Sequence, residues 1–306
     1  MPIDVPIVGA VDVGSNTIKL TVARPGTSGT IEELATAAET VRLGAGLATS
    51  GRLADDRIAA AMATLRGFAV LAGEHGASRL IGVATEATRR ASNGTAFLAR
   101  VQAETGWELR VISGDEEAAL TFKGLAVELD LGGRVIVADI GGGSTEIIQA
   151  KEGAISNAQS LRLGSGALTD AHVAADPPTD AELAACITSA ADALAPLSLA
   201  DSEPSRVIVV GGTGEYLARL VSSTGEIAAD QIEAALARCQ QQPSDDLAAA
   251  LGISPARARV LPAGIAIVRV LEALIRPDRI TVAGSGIRTG LLLETFAALP
   301  CLCTNP

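Results

Sequence analysis

Aromatic residues are nearly missing from this 306-residue chain: four Phe, Trp107 and Tyr216 amount to 2%. So few rings cannot build the stacking platforms that hold single-stranded nucleic acid, and the core has to be made of Ala, Val, Leu and Ile. Positive charge is also short, with 24 Lys and Arg against 35 Asp and Glu and a net charge of −11. A field of that sign opposes sequence-independent binding to a phosphate backbone or an anionic membrane, so an anionic ligand would need a locally positive pocket. The lysines are Lys19, Lys123 and Lys151 alone, which leaves Arg, with its planar fork of donors, as the main group for a phosphate oxygen pair. Two histidines and four cysteines without a CxxC spacing cannot assemble a zinc site. The thiols are expected to be inert, with Cys301 and Cys303 the more exposed pair. The stretch MPIDVPIVGAVDVG is not basic and reads as a lead into a strand, so no signal peptide is expected, and the apolar run Val260 to Val268 stops at Arg269, far short of a bilayer span. A cytoplasmic protein with neither nucleic acid nor membrane as partner is expected.

Apolar residues make up 48% and charged ones 19%, a balance that excludes disorder. The length predicts two domains of ordinary size. Apolar β-branched runs at Ile7 to Val11 and Ile18 to Ala23 flank a turn and predict a hairpin. Helical spacing follows over Asp55 to Glu74, then a strand at Leu80 to Ala84, a helix at Thr95 to Glu104, a strand at Glu108 to Ile112 and a helix at Asp115 to Val127. A second cycle starts after Asp130-Leu131-Gly132-Gly133. It holds strands at Val135 to Ala138, Glu146 to Ala150, Ile155 to Leu163, Arg206 to Val210 and Arg279 to Val282. Its helices are Asp180 to Leu194, Thr213 to Val221 and Thr289 to Leu299, with a helical excursion between Ser222 and Ala258. The expected domains are 1–129 and 130–289, with a last helix at about 290–306 packing back on the first. The alternation predicts the α/β class.

GAVDVGSNTIKL, from Gly9, and IVADIGGGSTEI, from Ile136, share one plan: apolar strand, Asp, one residue, Gly, a small polar loop and a second strand. Asp12 and Asp139 lie 127 positions apart, about one domain length, so the chain contains an internal repeat. Loops of small residues let backbone N–H groups converge on an anion. Gly14, Ser15 and Asn16 form one such loop and Gly141 to Thr145 the other. The Asp before each can hold a hard cation, and an oxygen-ligated, water-rich site beside phosphate suits Mg²⁺. Two such loops facing one another would clamp a phosphate. The run VIVVGGTGEYLARL is a separate signal, since an apolar strand ending in Gly-Gly-Thr before a helix also resembles the adenosine-contacting element of kinases and ATPases in the actin and heat-shock-70 superfamily, and that resemblance keeps an ATP-dependent small-molecule kinase or ATPase as an alternative.

Further blocks follow in order: VRLGAGLATSGRL, VATEATRRASNGTAFL, VISGDEEAAL, LRLGSGALT, RARVLPAG and GSGIRTGLL. Together with the two loops they resemble the actin, heat-shock-70 and sugar-kinase superfamily. Within it the chain is similar to the exopolyphosphatase and guanosine-pentaphosphate phosphohydrolase family over nearly its whole length. The resemblance implies two duplicated actin-like, ribonuclease H-like domains with an active-site cleft between them. The activity implied is metal-dependent hydrolysis of the terminal phosphoanhydride of inorganic polyphosphate, releasing orthophosphate, with guanosine pentaphosphate as the alternative substrate. Longer relatives carry extra C-terminal helical domains, so the short form implies short to medium chains.

Residue by residue, the resemblance makes Glu117 the carboxylate that deprotonates water and Arg89 a contact to the phosphoryl group. Chemistry alone does not choose among Asp115, Glu116 and Glu117. The resemblance associates Asp139 and Glu146 with Mg²⁺ or another hard divalent cation, and the shared loop plan adds Asp12. Gly14, Ser15, Asn16, Gly141, Gly142, Gly143, Ser144 and Thr145 would face phosphate, with Lys19 as a basic contact. Arg257 and Arg288 match family positions, a helix-terminal salt bridge being the other reading of each. Arg90 stands where relatives usually carry an acidic residue. A monovalent cation and a homodimer are compatible with the resemblance.

Overall fold

The computed structural model describes residues 5–199, 206–222 and 224–298. Cys301 and Cys303 lie outside them, and Cys186 and Cys239 are buried free thiols. Two sheets carry the fold. The first holds β1 (Val8–Val13), β2 (Thr17–Pro25), β3 (Ile31–Thr40), β4 (Arg79–Ala84) and β5 (Glu108–Val111) in the order β3-β2-β1-β4-β5. The second holds β6 (Arg134–Ile140), β7 (Thr145–Lys151), β8 (Ala154–Leu161), β9 (Arg206–Val210), β10 (Glu226–Ile227) and β11 (Ile280–Ala283) in the order β10-β11-β9-β6-β7-β8. Each begins as a three-stranded antiparallel meander and then adds parallel strands on the far side of its first strand, β4 and β5 in one, β9 and β11 in the other. The repeat seen in the two loops therefore extends to the whole sheet. β10 is an added antiparallel edge.

Each sheet has its own core. One face of the first is covered by helices Asp55–Glu74 and Gly94–Thr105, around Met62, Leu65, Phe68, Phe97 and Trp107. Trp107 is fully buried, and its Nε1–H donates to the Leu65 carbonyl at 2.9 Å. The matching core of the second sheet contains no Phe, Trp or Met. It is built by Ile136, Ala138, Val207 and Val209 against helices Asp180–Leu194, Ala229–Gln241 and Leu261–Ile275.

The other faces are covered by exchange. Helix Gly114–Leu125 follows β5 in sequence yet lays Ala118, Phe122 and Leu125 on β6, β7 and β9. Helix Ile287–Ala297 follows β11 and lays Ile287, Leu291 and Leu292 on β1, β2 and β4. The two helices cross where Gly124 meets the backbone of Gly286 and Gly290 meets that of Leu120. A Cβ at either glycine would collide with main chain, so the crossing depends on their lack of one. Lys123 and Glu294 pair across it at 3.4 Å.

The sequence reading contains neither helix Ser165–His172 nor helix Glu86–Arg90, and β10 lies inside the expected helical excursion; two further differences have a clear physical reason. β3 has no counterpart in that reading, because IEELATAAET is rich in Glu and Ala, residues depleted in strands, and the edge is held by its pairing with β2. Leu261–Ile275 registered only as an apolar run, since a helix buried on nearly all sides shows no polar stripe. Among the described residues no helix is long and apolar enough to cross a membrane.

Candidate active site

Both hairpins close in the same way. Gly14 N–H donates to Thr17 O at 3.2 Å in the first, and Gly141 N–H to Ser144 O at 2.9 Å in the second. The loop carbonyls are tied outward: Ser15 O accepts from Gly44, Asn16 O from Val41 and Arg42, Gly141 O from Ser165 and Gly142 O from Ala167. No backbone carbonyl among the described residues takes the N–H of Ser15, Asn16, Gly142, Gly143 or Ser144. Unpaired amides grouped in this way form an anion-binding concavity. The hairpin tips touch. A Cβ on Gly142 would lie 2.9 Å from Asn16 N, and one on Gly143 would lie 2.5 Å from Ser15 Oγ. Arg42 and Asp170 form an ion pair beside them.

The hairpins open onto a cleft of about 910 Å³, further lined by β3, the start of helix Gly211–Val221 and residues 282–289. Six carboxylates line it, Glu39 and Glu215 along with the four singled out from sequence, Asp12, Glu117, Asp139 and Glu146. Only those last four concern the two hairpins. Burial raises every one of them above the ordinary carboxylate range, Asp12 to about 6. For Glu117 the neighbouring charge of Glu146 adds to burial, and for Glu146 that of Asp139 does. Hydroxyls hold two of them in place: Thr121 Oγ1 donates to Asp139 at 2.9 Å and Ser160 Oγ to Glu146 at 2.7 Å. Lys19, Arg257 and Arg288 line the same cleft, each lowered by burial. Arg288 Nε donates to Thr21 at 2.9 Å, and Arg257 lies over the Tyr216 ring, 5.2 Å from its centroid. Neither forms a salt bridge among the described residues.

Helix Gly114–Leu125 explains why Glu117 and not its neighbour faces the cleft. Ser113 caps the helix by accepting from Glu116 N, and Glu116 reaches back to Ser113 N at 3.0 Å, a capping box. Arg110 completes the exposed Glu116's partners at 2.8 Å. One residue on, Glu117 is 5% exposed and turned inward, with Thr121 one helical turn further on the same face.

Of the residues singled out from sequence, Asp12, Gly14, Ser15, Asn16, Lys19, Glu117, Asp139, Gly141, Gly142, Gly143, Ser144 and Glu146 all line the cleft. Arg89 and Thr145 stand behind it. Arg89 Nη1 donates to Ile112 O at 2.6 Å and lies 3.5 Å from Glu117 Oε2, while the buried Thr145 hydroxyl donates to Leu163 O. Thr121, Ser160 and Glu86 are not among the residues that the sequence singles out, and Tyr216 enters only as part of the run VIVVGGTGEYLARL. The first two were within reach, since Thr121 is four positions from Glu117 and Ser160 is the β8 register partner of Glu146.

Among the described residues no three acidic, His or Cys side chains gather into a ready metal cage. The donor set nevertheless fits a hard cation. It is all oxygen, its negative charges crowd together, and Asp12 Oδ1 is buried without a hydrogen-bond partner. Mg²⁺ commonly takes one or two carboxylates and completes its shell with water and phosphate oxygens.

An arrangement of this kind can grip a multiply charged anion between two similar halves while a buried carboxylate faces the gap. The class is that of two-lobed phosphate-handling proteins. A family profile, the Ppx/GppA phosphatase family, matches residues 21–298, and the chain belongs to that family. It is 30% identical over 309 residues to exopolyphosphatase 1 of Mycobacterium tuberculosis, covering 94% of this chain and 87% of that protein. It is 30% identical over 298 residues to the guanosine-5'-triphosphate,3'-diphosphate pyrophosphatase of Vibrio atlanticus, covering 94% of this chain and 59% of that one. The crystal structure of the Aquifex aeolicus Ppx/GppA family member superposes with a TM-score of 0.76 at 28% identity, over 96% of this chain and 98% of that one.

Proposed function

We propose that the chain is a metal-dependent phosphohydrolase that removes the terminal phosphate of inorganic polyphosphate as orthophosphate. The observation that carries this reading is the inward-turned Glu117, held in a cleft whose two hairpins leave their amides unpaired. The names of the relatives support it. The cleft lies between halves that we place at residues 1–129 and 130–289.

The amides of Ser15, Asn16, Gly142, Gly143 and Ser144, with Lys19, hold the oxygens of the terminal phosphate. Asp139 and Glu146, assisted by Asp12, would hold Mg²⁺, which when bound neutralises charge on those oxygens. Burial strengthens Glu117 as a proton acceptor, and with the neighbouring carboxylates offset by a bound cation its ionised form takes a proton from the attacking water. The water oxygen bonds to phosphorus, the bond to the bridging oxygen breaks, and the chain leaves one phosphate shorter. Arg89, fixed by Ile112 O, orients the Glu117 carboxylate from behind. Phosphoryl transfer needs little beyond such positioning and electrostatics.

Guanosine pentaphosphate is the second reading. Beyond the hairpins the cleft continues along Tyr216, Ile253 and Arg257, room that a bare phosphate end does not require, and the Vibrio relative is named for a guanosine nucleotide. The test is orthophosphate release from polyphosphates of defined length, guanosine pentaphosphate and ATP, with Mg²⁺ or EDTA, beside a gel time course on end-labelled polymer. Expected are loss of one unit at a time, short chains used at least as well as long ones, and no turnover in EDTA. Internal fragments would refute end-directed hydrolysis, and phosphorylation of metabolites by ATP without orthophosphate release would establish a kinase.

A further inference from the structure

Glu86 is a buried acid that takes no part in the carboxylate group around Glu117. It is 5% exposed and does not line the cleft. β4 pairs with β1 in parallel, and Thr85 N–H extends that ladder to Val13 O at 3.2 Å. The chain then turns into the short helix Glu86–Arg90, directly beside the first hairpin loop. There one carboxylate oxygen accepts from Ser15 Oγ at 3.1 Å and the other from Arg90 Nη1 at 2.6 Å. Arg90, the departure from the family pattern, thus has a structural reason. Its charge offsets that of Glu86, so no net negative charge stands behind a phosphate loop.

The third neighbour of Glu86 comes from the other half of the molecule. A Cβ on Gly143 would collide with Glu86 Oε2 and lie 2.5 Å from Ser15 Oγ. The Glu86 carboxylate therefore fills the seam where the two loops meet, bonded to one and pressed on by the other. We propose that Glu86 is a positioning residue that sets the spacing of the two phosphate loops in the closed cleft. The proposal rests on the phosphohydrolase reading and adds to it a group that touches no reacting atom. Ser15, with its hydroxyl committed to Glu86, keeps its N–H toward the cleft, and Gly143 comes to rest at the distance that the carboxylate allows.

Steady-state orthophosphate release from Glu86→Gln tests it, since that side chain keeps the size but loses the Arg90 ion pair. A misplacement well under an ångström acts on the transition state more than on substrate binding. The expected result is kcat lowered about tenfold or more, KM within about twofold, and an unchanged urea midpoint. A second measurement uses the pair Glu86→Ala and Gly143→Ala. If the two share one seam, the double variant loses no more kcat than the worse single one. Wild-type kcat in Glu86→Gln, a rise in KM alone, or multiplicative losses in the double variant would each overturn the proposal while leaving the functional reading standing. A wild-type protein that releases no orthophosphate would overturn both.

Discussion

The two hairpins are closed by the same hydrogen bond and preceded by the same Asp, yet they differ at one register position. Asp12 faces Lys19 across β1 and β2, whereas Asp139 faces Glu146 across β6 and β7. At that position the first hairpin pairs opposite charges. The second sets two carboxylates side by side, and helix Gly114–Leu125 brings Glu117 to the same cleft. On the proposed reading one side chain divides the duplicated scaffold: the Lys19 side would hold phosphate by itself, and the Glu146 side would need an added cation before it could do so.

Giving the second hairpin the charge pattern of the first should produce the largest effect. Glu146→Lys is expected to lower turnover by at least about 10³-fold, the several kcal/mol that a catalytic metal supplies, with no recovery at raised Mg²⁺. Glu146→Gln, which avoids burying a new cation, should follow the same direction with the fold intact by circular dichroism. Near-normal turnover in Glu146→Gln would erase the distinction between the hairpins.

A smaller effect separates their tips. A Cβ on Gly14 meets only Thr17 O, at 3.0 Å, but one on Gly142 runs into Asn16. Overpacking of this kind costs about 1–3 kcal/mol, and at Gly142 it falls on the contact between the halves. Gly142→Ala should reduce kcat/KM about tenfold, the equivalent of roughly 1.4 kcal/mol, with Gly14→Ala clearly milder. Equal losses in parallel kinetic assays would show that closure does not depend on the second tip.

The smallest effect is thermodynamic. The folded-state pKa values of Asp12, about 6, and of Asp139, Glu117 and Glu146 lie above those of free carboxylates. Their burial therefore costs nothing below the unfolded values near pH 4, and progressively more as pH rises through 6 and beyond. A cation that binds the ionised groups of the folded state reverses that loss. Thermal midpoints with Mg²⁺ and with EDTA should differ little at pH 5 and increasingly between pH 6 and 8. A difference that stays flat, or shrinks with pH, would place the cation away from these groups.

The repeat made the central strands and both loops legible, because the Asp-x-Gly plan marks strand, turn and strand together. β3 was not, since its Glu and Ala residues carry no strand signal of their own and their conformation comes from the neighbour. The repeat contained the answer, for β8 occupies the same place in the second sheet. Ser113 and Glu116 form a readable capping-box pattern, which would have removed Glu116 and left Glu117. Glu86 had no signal at all. Its role depends on Gly143, 57 positions away in the chain, and such contacts between halves follow from the assembled fold alone.

Trp107 is the chain's one indole, and it is sealed in the core of the first half with its N–H bonded to Leu65 O. Its fluorescence should be blue-shifted in the native protein and red-shifted when that half opens. The aliphatic second core has no such reporter, so unfolding of the Asp139 half can proceed with the emission maximum unmoved. Ellipticity at 222 nm, which weighs helices of both halves, would register it. Two denaturation curves that fail to superimpose, with ellipticity falling first, would mean that the half carrying the acidic hairpin is the one that lets go.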